Sequence, residues 1–470
     1  MDKAAAPLAL AERLYALPPA PGPDESLIVE AGRICDLDAL ETALREGLAE
    51  QDDARAIRAL TVKVLSEALR QGNAVLHAAL ARSPRDSRSY VRAQSWLTDT
   101  VVIAALRVAQ LNLHPNGAPT KGQRIAVMAV GGYGRAEMAP FSDVDLLFLA
   151  PTKLSGWAES VIESTLYILW DLKLKIGHSS RTVDDCLRLG REDYTIRTAL
   201  LETRFLTGNA TLARELRDRL WSELFANTQS DFIEAKLAER ADRHQKQGGQ
   251  RYVLEPNVKE GKGGLRDLQT LYWIAKYMHR AQKAAELVGL GFYTKPEYEN
   301  FRAAETFLWA VRCHLHILTG RATDTLSFDL QPEVAQRMGY LDHGGRRAVE
   351  HFMQDYFRHA TRVGELTRVF LTALEERHVK RAPKLLGLLR RRKKVKPGYS
   401  VELNRLDIED PKTFLADPLN LLRIFEEGLR TGMLLHPDAM RLVAANLDLI
   451  DADMRENPEA ARIFLDMLLK

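Results

Sequence analysis

Two glycines, followed after ten residues by a pair of aspartates, constrain this chain more than anything else in it. The stretch from Arg124 to Leu149 reads RIAVMAVGGYGRAEMAPFSDVDLLFL. It opens on an apolar run of strand length, Ile125 to Val130, and breaks at Gly131-Gly132, which a strand does not need for its own stability. Pro140 stops any short helix that follows. A second apolar run then begins with Asp143 and Asp145. Residues two apart on a strand share a face, so the two carboxylates are expected side by side, with Val144, Leu146 and Phe148 turned the other way. Adjacent carboxylates repel, and partial burial makes the conflict worse. A divalent cation between them resolves it. One or two carboxylates plus substrate phosphates suit Mg²⁺, which makes Asp143 and Asp145 the expected metal ligands.

The rest of the chain reads as mostly helical. Its 470 residues allow two to four domains, and 46% hydrophobic with 27% charged residues is ordinary for a globular protein. A net charge of +3 gives no argument for nucleic acid, and no apolar run reaches the roughly 20 residues that span a bilayer. Cys35, Cys186 and Cys313 are far apart and form no CxxC pair, which fits a reducing cytosol better than a disulfide framework or a zinc site. Residues 1–26 are rich in Ala and Pro and read as a flexible tail. Residues 27–116 are helical by spacing, and 117–212 hold the strand–turn–strand core. In that core Leu174 to Thr182 is expected to be a third strand, and Thr195 to Leu206 a helix. Residues 213–378 are helical apart from a polar loop, Tyr252 to Gly264, that leads into a helix over Leu265 to His279. The stretch Lys380 to Lys396 carries nine basic residues and no acidic one, and reads as a linker spanning 379–400. From Val401 to Lys470 there are 8 basic and 14 acidic residues in a helical pattern.

The pattern hydrophobic-Gly-Gly, ten residues, Asp-Val-Asp resembles the signature of the nucleotidyltransferase superfamily that includes DNA polymerase β. The chemistry agrees. Glycines allow backbone to approach a triphosphate and amides at a helix start can hold it; paired aspartates can hold the Mg²⁺ used in attack on the α-phosphorus. Ser142 and Arg135 are placed to meet phosphate. No GxxxxGK[ST] is present, and Glu137 stands where a dinucleotide fingerprint needs glycine. The implied architecture is mostly α with a small α/β nucleotidyltransferase core, a short mixed sheet like a polymerase-β palm, flanked by helical regions.

Further blocks narrow the resemblance. GGYGRAEMAPFSDVDLLFL is followed in order by GHSSRT (Gly177 to Thr182) and EPNVKEGKGGLRDLQTLYWIA (Glu255 to Ala275). GRATDTLSFDLQPEVAQRMGY (Gly320 to Tyr340) and AVEHFMQDYFRHA (Ala348 to Ala360) come next. Together they resemble the bacterial protein-PII uridylyltransferase/uridylyl-removing enzymes. That family transfers UMP from UTP to a tyrosine of the PII nitrogen-signalling protein and removes it again. The resemblance implies UTP and PII as partners, Mg²⁺ as cofactor, no nucleic acid, no membrane and a cytoplasmic setting. The family continues with an HD hydrolase domain and two ACT domains. This sequence has twelve histidines but no His-Asp dipeptide, so 401–470 is expected to be the helical approach to a truncated HD region, without removing activity or glutamine sensing.

Other residues weigh less. The superfamily's third carboxylate has three candidates, Asp184, Asp185 and Glu202, none singled out. In the loop before the helix at Leu265, Lys259, Lys262 and Arg266 are expected to meet the triphosphate or PII. His178 lies on the third strand and is a candidate nucleotide contact, whereas His314 and His316 read as packing or surface residues. The tyrosine phenol titrates near roughly 10, so a base must take its proton; an aspartate of the pair could serve. Three alternatives remain: an adenylyltransferase acting on glutamine synthetase, a regulatory module that binds nucleotide or PII without catalysis, and an RNA-end nucleotidyltransferase.

Overall fold

The computed structural model describes residues 26–116, 120, 123–247, 253–281, 284–379, 395–402, 405–433 and 435–468. Residues 1–25 of the N-terminal tail and 380–394 of the basic stretch lie outside them. The chain divides into two compact units, one formed by Met1–Glu286 with Pro296–Gly364, the other by Leu287–Lys295 with Glu365–Lys470.

The first unit begins with four helices, α1 (Ala31–Ile34), α2 (Leu37–Leu48), α3 (Ala54–Arg82) and α4 (Ser87–Val108). Asp36 and Asp53 start α2 and α3 by accepting backbone N–H bonds of 3.0 and 2.9 Å. Tyr90, Leu97, Val101, Val102, Ile103 and Leu106 are all buried, so α4 is apolar nearly all round and serves as a core helix. It runs on as a π-helical turn, Ala109–Leu113.

The core follows: β1 (Ala126–Ala129), α5 (Gly131–Gly134), β2 (Val144–Ala150), α6 (Gly156–Asp171), β3 (Ile176–Thr182), α7 (Val183–Glu192), α8 (Tyr194–Leu201), β4 (Arg204–Gly208) and α9 (Ala210–Arg219). The sheet is mixed, in the order β3-β2-β1-β4. β1 pairs antiparallel with β2 (Val127↔Phe148) and β4, while β2 and β3 run parallel (Asp145↔Gly177). From Leu146 onward β2 is buried on both faces. One face, with Met128, Leu147 and Leu149, packs on Leu187, Leu216, Phe232, Trp273 and Tyr277. The sequence extended a helix to Leu206, but α8 stops at Leu201 and Arg204–Gly208 is a strand. Its ladder bonds come from β1, a partner that a reading of one segment cannot supply.

Helices complete this unit: α10 (Gln229–Lys246), α11 (Leu265–His279), α12 (Glu286–Gly289), α13 (Lys295–Thr319), α14 (Leu330–Arg337) and α15 (Ala348–Val379), of which α12, α13 and α15 extend into the second unit. α11 starts and stops where the sequence placed it. At its first turn Asp267 is fully buried, accepting from Gly263 N–H (2.9 Å) and lying against Arg240, Arg243 and His244. A buried carboxylate needs such partners.

In the second unit the expected all-helical segment opens instead on a hairpin, β5 (Tyr399–Glu402) with β6 (Arg405–Ile408). Alternation in RLDI buries Leu406 and Ile408, a period-2 signal too short to stand out in the sequence. Then come α16 (Pro411–Leu415), α17 (Asn420–Thr431), α18 (Pro437–Ala445), α19 (Ala452–Glu456) and α20 (Pro458–Leu468). His436 caps α18, with Pro437 in its first turn. Tyr399, Leu406, Phe414, Leu421 and Ile424 share one core. Among the described residues no helix is long and apolar enough to cross a membrane.

Candidate active site

The Gly-Gly turn and the start of β2 face each other across one hydrogen bond, from Val130 N–H to the Asp145 carbonyl (3.0 Å). Gly131 then adopts φ +61°, a region that L-residues disfavour, as the chain turns into α5. A Cβ on Gly131 would lie 3.5 Å from Asp145 Oδ2, and one on Gly177 only 2.3 Å from Oδ1. Two backbone segments without side chains thus hold the Asp145 carboxylate between them.

Asp143 is presented by the turn before β2. Ala139 N–H donates to Ser142 Oγ (3.1 Å), and Ser142 N–H to the Ala139 carbonyl (3.1 Å). The turn is tied to α13 through His316, which is buried. Phe141 N–H donates to His316 Nδ1 at 3.4 Å, which leaves Nε2 to donate to Asp324 Oδ1 at 3.1 Å. Burial holds His316 below the usual imidazole range, consistent with this neutral tautomer. Asp324 also accepts from Arg312 Nε (2.7 Å), and its carbonyl accepts Val258 N–H (2.8 Å). One aspartate therefore joins the polar loop, α13 and the turn before Asp143.

The loop itself is closely tied. Asn257 Oδ1 accepts from the Lys259 and Glu260 amides (3.0 and 2.7 Å), and Arg266 N–H donates back to the Lys259 carbonyl (2.9 Å). This brings Lys259 and Arg266 to the same side. A cleft of about 530 Å³ results, bordered by Gly131, Gly132, Arg135, Ser142, Asp143, Asp145, Glu202, Lys259 and Arg266 among others.

Its charges are mostly paired. Arg135 bridges Glu137 (2.8 Å) and Glu202 (2.6 Å), Arg266 meets Glu260 (3.1 Å), Arg312 meets Asp324 (2.7 Å) and Lys236 meets Glu239 (2.5 Å). Among the described residues, Asp143 and Asp145 are the cleft carboxylates without an ion pair. Burial, then repulsion from Asp143, raises Asp145 above the usual carboxylate range. Across the cleft, burial and then the charges of Arg312 and Arg266 push the Lys259 ammonium down. The two unpaired carboxylates fit a hard divalent cation that brings water or phosphate as its other ligands. No group of three or more such ligands occurs among the described residues.

The remaining candidates separate. Glu202 borders the cleft but is taken up by Arg135 and by Lys276 (3.4 Å). Thr182 caps α7 and Asp185 accepts the Thr182 N–H in return (3.2 Å), while Asp184 pairs with Arg219 on the surface (2.8 Å). Lys262 is half-buried and does not border the cleft. Nor is His178 brought there. It sits opposite Leu146, one residue out of step with Asp145↔Gly177, and so on the other sheet face, edge-on to Trp170 at 6.1 Å. His314 packs as expected, with Nε2 on the Pro84 carbonyl (3.0 Å), whereas His316 packs and also supports the site. Arg312, Lys236 and Trp309, which also surround the cleft, lie outside the sequence blocks quoted above, and Asp324 and Trp273 lie within them without being singled out; the fold assembles all five.

The family model described as GlnD PII-uridylyltransferase matches residues 231–371, and that of the uridylyltransferase GlnD third domain matches 399–470. A glutamate-ammonia ligase adenylyltransferase model matches 25–183. A bifunctional uridylyltransferase/uridylyl-removing enzyme of Cereibacter sphaeroides is 64% identical over 449 residues, and one of Ruegeria pomeroyi 63% over 435. These alignments cover 94% and 93% of this chain, and the chain spans about half, 48%, of each relative's length. The chain thus carries GlnD uridylyltransferase domains and is similar over nearly its whole length to part of the uridylyltransferase/uridylyl-removing enzymes.

Proposed function

We propose that this chain transfers UMP from Mg²⁺-bound UTP to a tyrosine hydroxyl of the PII signalling protein and releases pyrophosphate. The observation that carries the reading is the unpaired Asp143–Asp145 couple in a cleft whose other carboxylates are neutralised. Bound there, Mg²⁺ would supply charge neutralisation on the nucleotide phosphates. Asp143, just before β2, and Asp145, within it, would hold the ion. Gly131 and Gly132 open the backbone to the phosphate tail, since the first amides of a helix have no intrahelical acceptor. Ser142 offers its hydroxyl beside them. Lys259, with Arg266 and Arg312 behind it, supplies positive charge to the departing pyrophosphate, and that anion offsets the arginine charges that add to burial in depressing the lysine. Arg135 acts through Glu137 and Glu202, fixing the turn after α5. The phenol oxygen forms a bond to the α-phosphorus as the bond to the bridging oxygen breaks; pyrophosphate leaves, and the phenol proton passes to a base, for which an aspartate of the pair is the candidate.

The adenylyltransferase match over residues 25–183 favours one rival, transfer of AMP by the same core. Incubation with PII, Mg²⁺ and each of the four α-labelled NTPs decides between them. Label on PII from UTP alone supports the proposal. Label from ATP, or on glutamine synthetase in place of PII, supports the rival, and no transfer from any nucleotide contradicts both.

A further inference from the structure

A second hollow, of about 440 Å³, opens between the turn after α3, the first half of α13 and the middle of α15. Its floor is Phe307, which is buried and stacked on the His359 ring at 4.4 Å and 23°. His359 Nδ1 is sealed from solvent, without a hydrogen-bond partner among the described residues. Arg85 and Arg302 stand at the sides. Nearby arginines are paired, Arg88 with Glu305 (2.5 Å) and Arg358 with Asp355 (2.8 Å). Among the described residues, Arg85 and Arg302 have no carboxylate within 4 Å; Arg85 lies against the Tyr340 ring at 5.2 Å. Burial, with Arg362, Arg358 and Arg85 adding to it against Asp355, pushes His359 down to about 4, so its ring is neutral at pH 7.

We propose that this hollow binds a small organic anion, its carboxylate or phosphate held by Arg85 and Arg302 and its carbon body laid on Phe307 and His359. Guanidinium groups suit both kinds of oxyanion and lose little hydration in binding them. An apolar floor with a few placed polar groups is the usual composition of a small-molecule site. Glu299 on the rim, three residues before Arg302, repels a polyanion and so selects against a nucleoside triphosphate. The site differs from the cleft: none of its lining residues borders the cleft, although α13 carries Trp309 and Arg312 there further along.

The test is calorimetric titration of the whole chain at pH 7 and low salt with succinate, phenyl phosphate and inorganic phosphate. Three proteins are compared: the unaltered chain, the Arg85→Gln/Arg302→Gln double variant, and Lys259→Ala, which reports binding in the cleft. At least one of the organic anions should bind with a Kd of about 1 mM or tighter, and roughly tenfold or more weaker to the double variant. Its affinity for Lys259→Ala should be unchanged. Phenyl phosphate should exceed inorganic phosphate, which lacks a body to lie on Phe307. Both arginines are exposed, so the double variant should melt with the unaltered chain. Absence of binding by both organic anions up to about 10 mM, equal binding by the double variant, or loss in Lys259→Ala instead would overturn the proposal.

Discussion

Replacing Gly177 by alanine tests the geometry at one atom. The new Cβ would lie 2.3 Å from Asp145 Oδ1, and its next nearest neighbours are two more Asp145 atoms, Cγ at 3.5 Å and Cα at 4.0 Å. Carbon and oxygen do not settle below 3.0 Å, so the Asp145 carboxylate must move or rotate by roughly 1 Å, a displacement of the size that can cost on the order of 10²-fold in rate. That loss is about 2.7 kcal/mol of transition-state stabilisation. The fold should not register it. Gly177 has no positive φ, and alanine at a compatible site restricts the unfolded chain, a gain of roughly 0.4–1 kcal/mol. The assay is the initial rate of label transfer from Mg²⁺-UTP to PII, with a thermal melt on the same preparation. Transfer within about threefold of the unaltered chain would refute the claim that Asp145 must occupy this position. A collapsed melting temperature would show that Gly177 serves the fold instead.

Asp267→Asn should cost about 3–5 kcal/mol, because Arg240, Arg243 and His244 lose a fully buried partner; urea unfolding measures it, and a change under 1 kcal/mol would contradict the pairing. The same carboxylate, held down to about 2, predicts a pH dependence. A depressed folded value gives stability that is present above the ordinary carboxylate range and lost as pH falls through the folded value. Unfolding free energy should therefore drop by on the order of 2 kcal/mol between about pH 4 and pH 2, a slope that Asp267→Asn should reduce. His316→Ala removes the link from Asp324 to the Phe141 amide; it should slow transfer by roughly tenfold through a lower kcat, and an unchanged kcat would remove His316 from the support of the site.

The central strands were legible because their signals are local. An apolar run, a glycine break and a strand-borne Asp-Val-Asp each follow from adjacent residues, and they put Asp143 and Asp145 at the cleft. The loop helix α11 was equally legible from its periodicity and the glycines before it. What escaped depends on contacts distant in sequence. Nothing around Arg204 shows that β1 offers it an edge, and nothing around Asp324 or His316 shows that they reach the turn before Asp143. His178 illustrates the limit most clearly: it stands next to Gly177, yet the alternation of β3 carries it to the opposite face. Arg135 shows another: a basic residue after Gly-Gly suggests phosphate, but the fold gives its guanidinium two carboxylates instead.

The most direct measurement of the central claim is the mass of intact PII after incubation with Mg²⁺ and UTP, for the unaltered chain beside Asp145→Asn. The account predicts one added uridylyl group per PII subunit, mapped by fragmentation to a tyrosine, and a rate lowered by on the order of 10²-fold or more in the variant. Because the variant removes a half-buried carboxylate raised by burial and then by Asp143, it should melt no lower than the unaltered chain. Near-normal modification by Asp145→Asn, or an unmodified PII with the unaltered chain, would contradict the account.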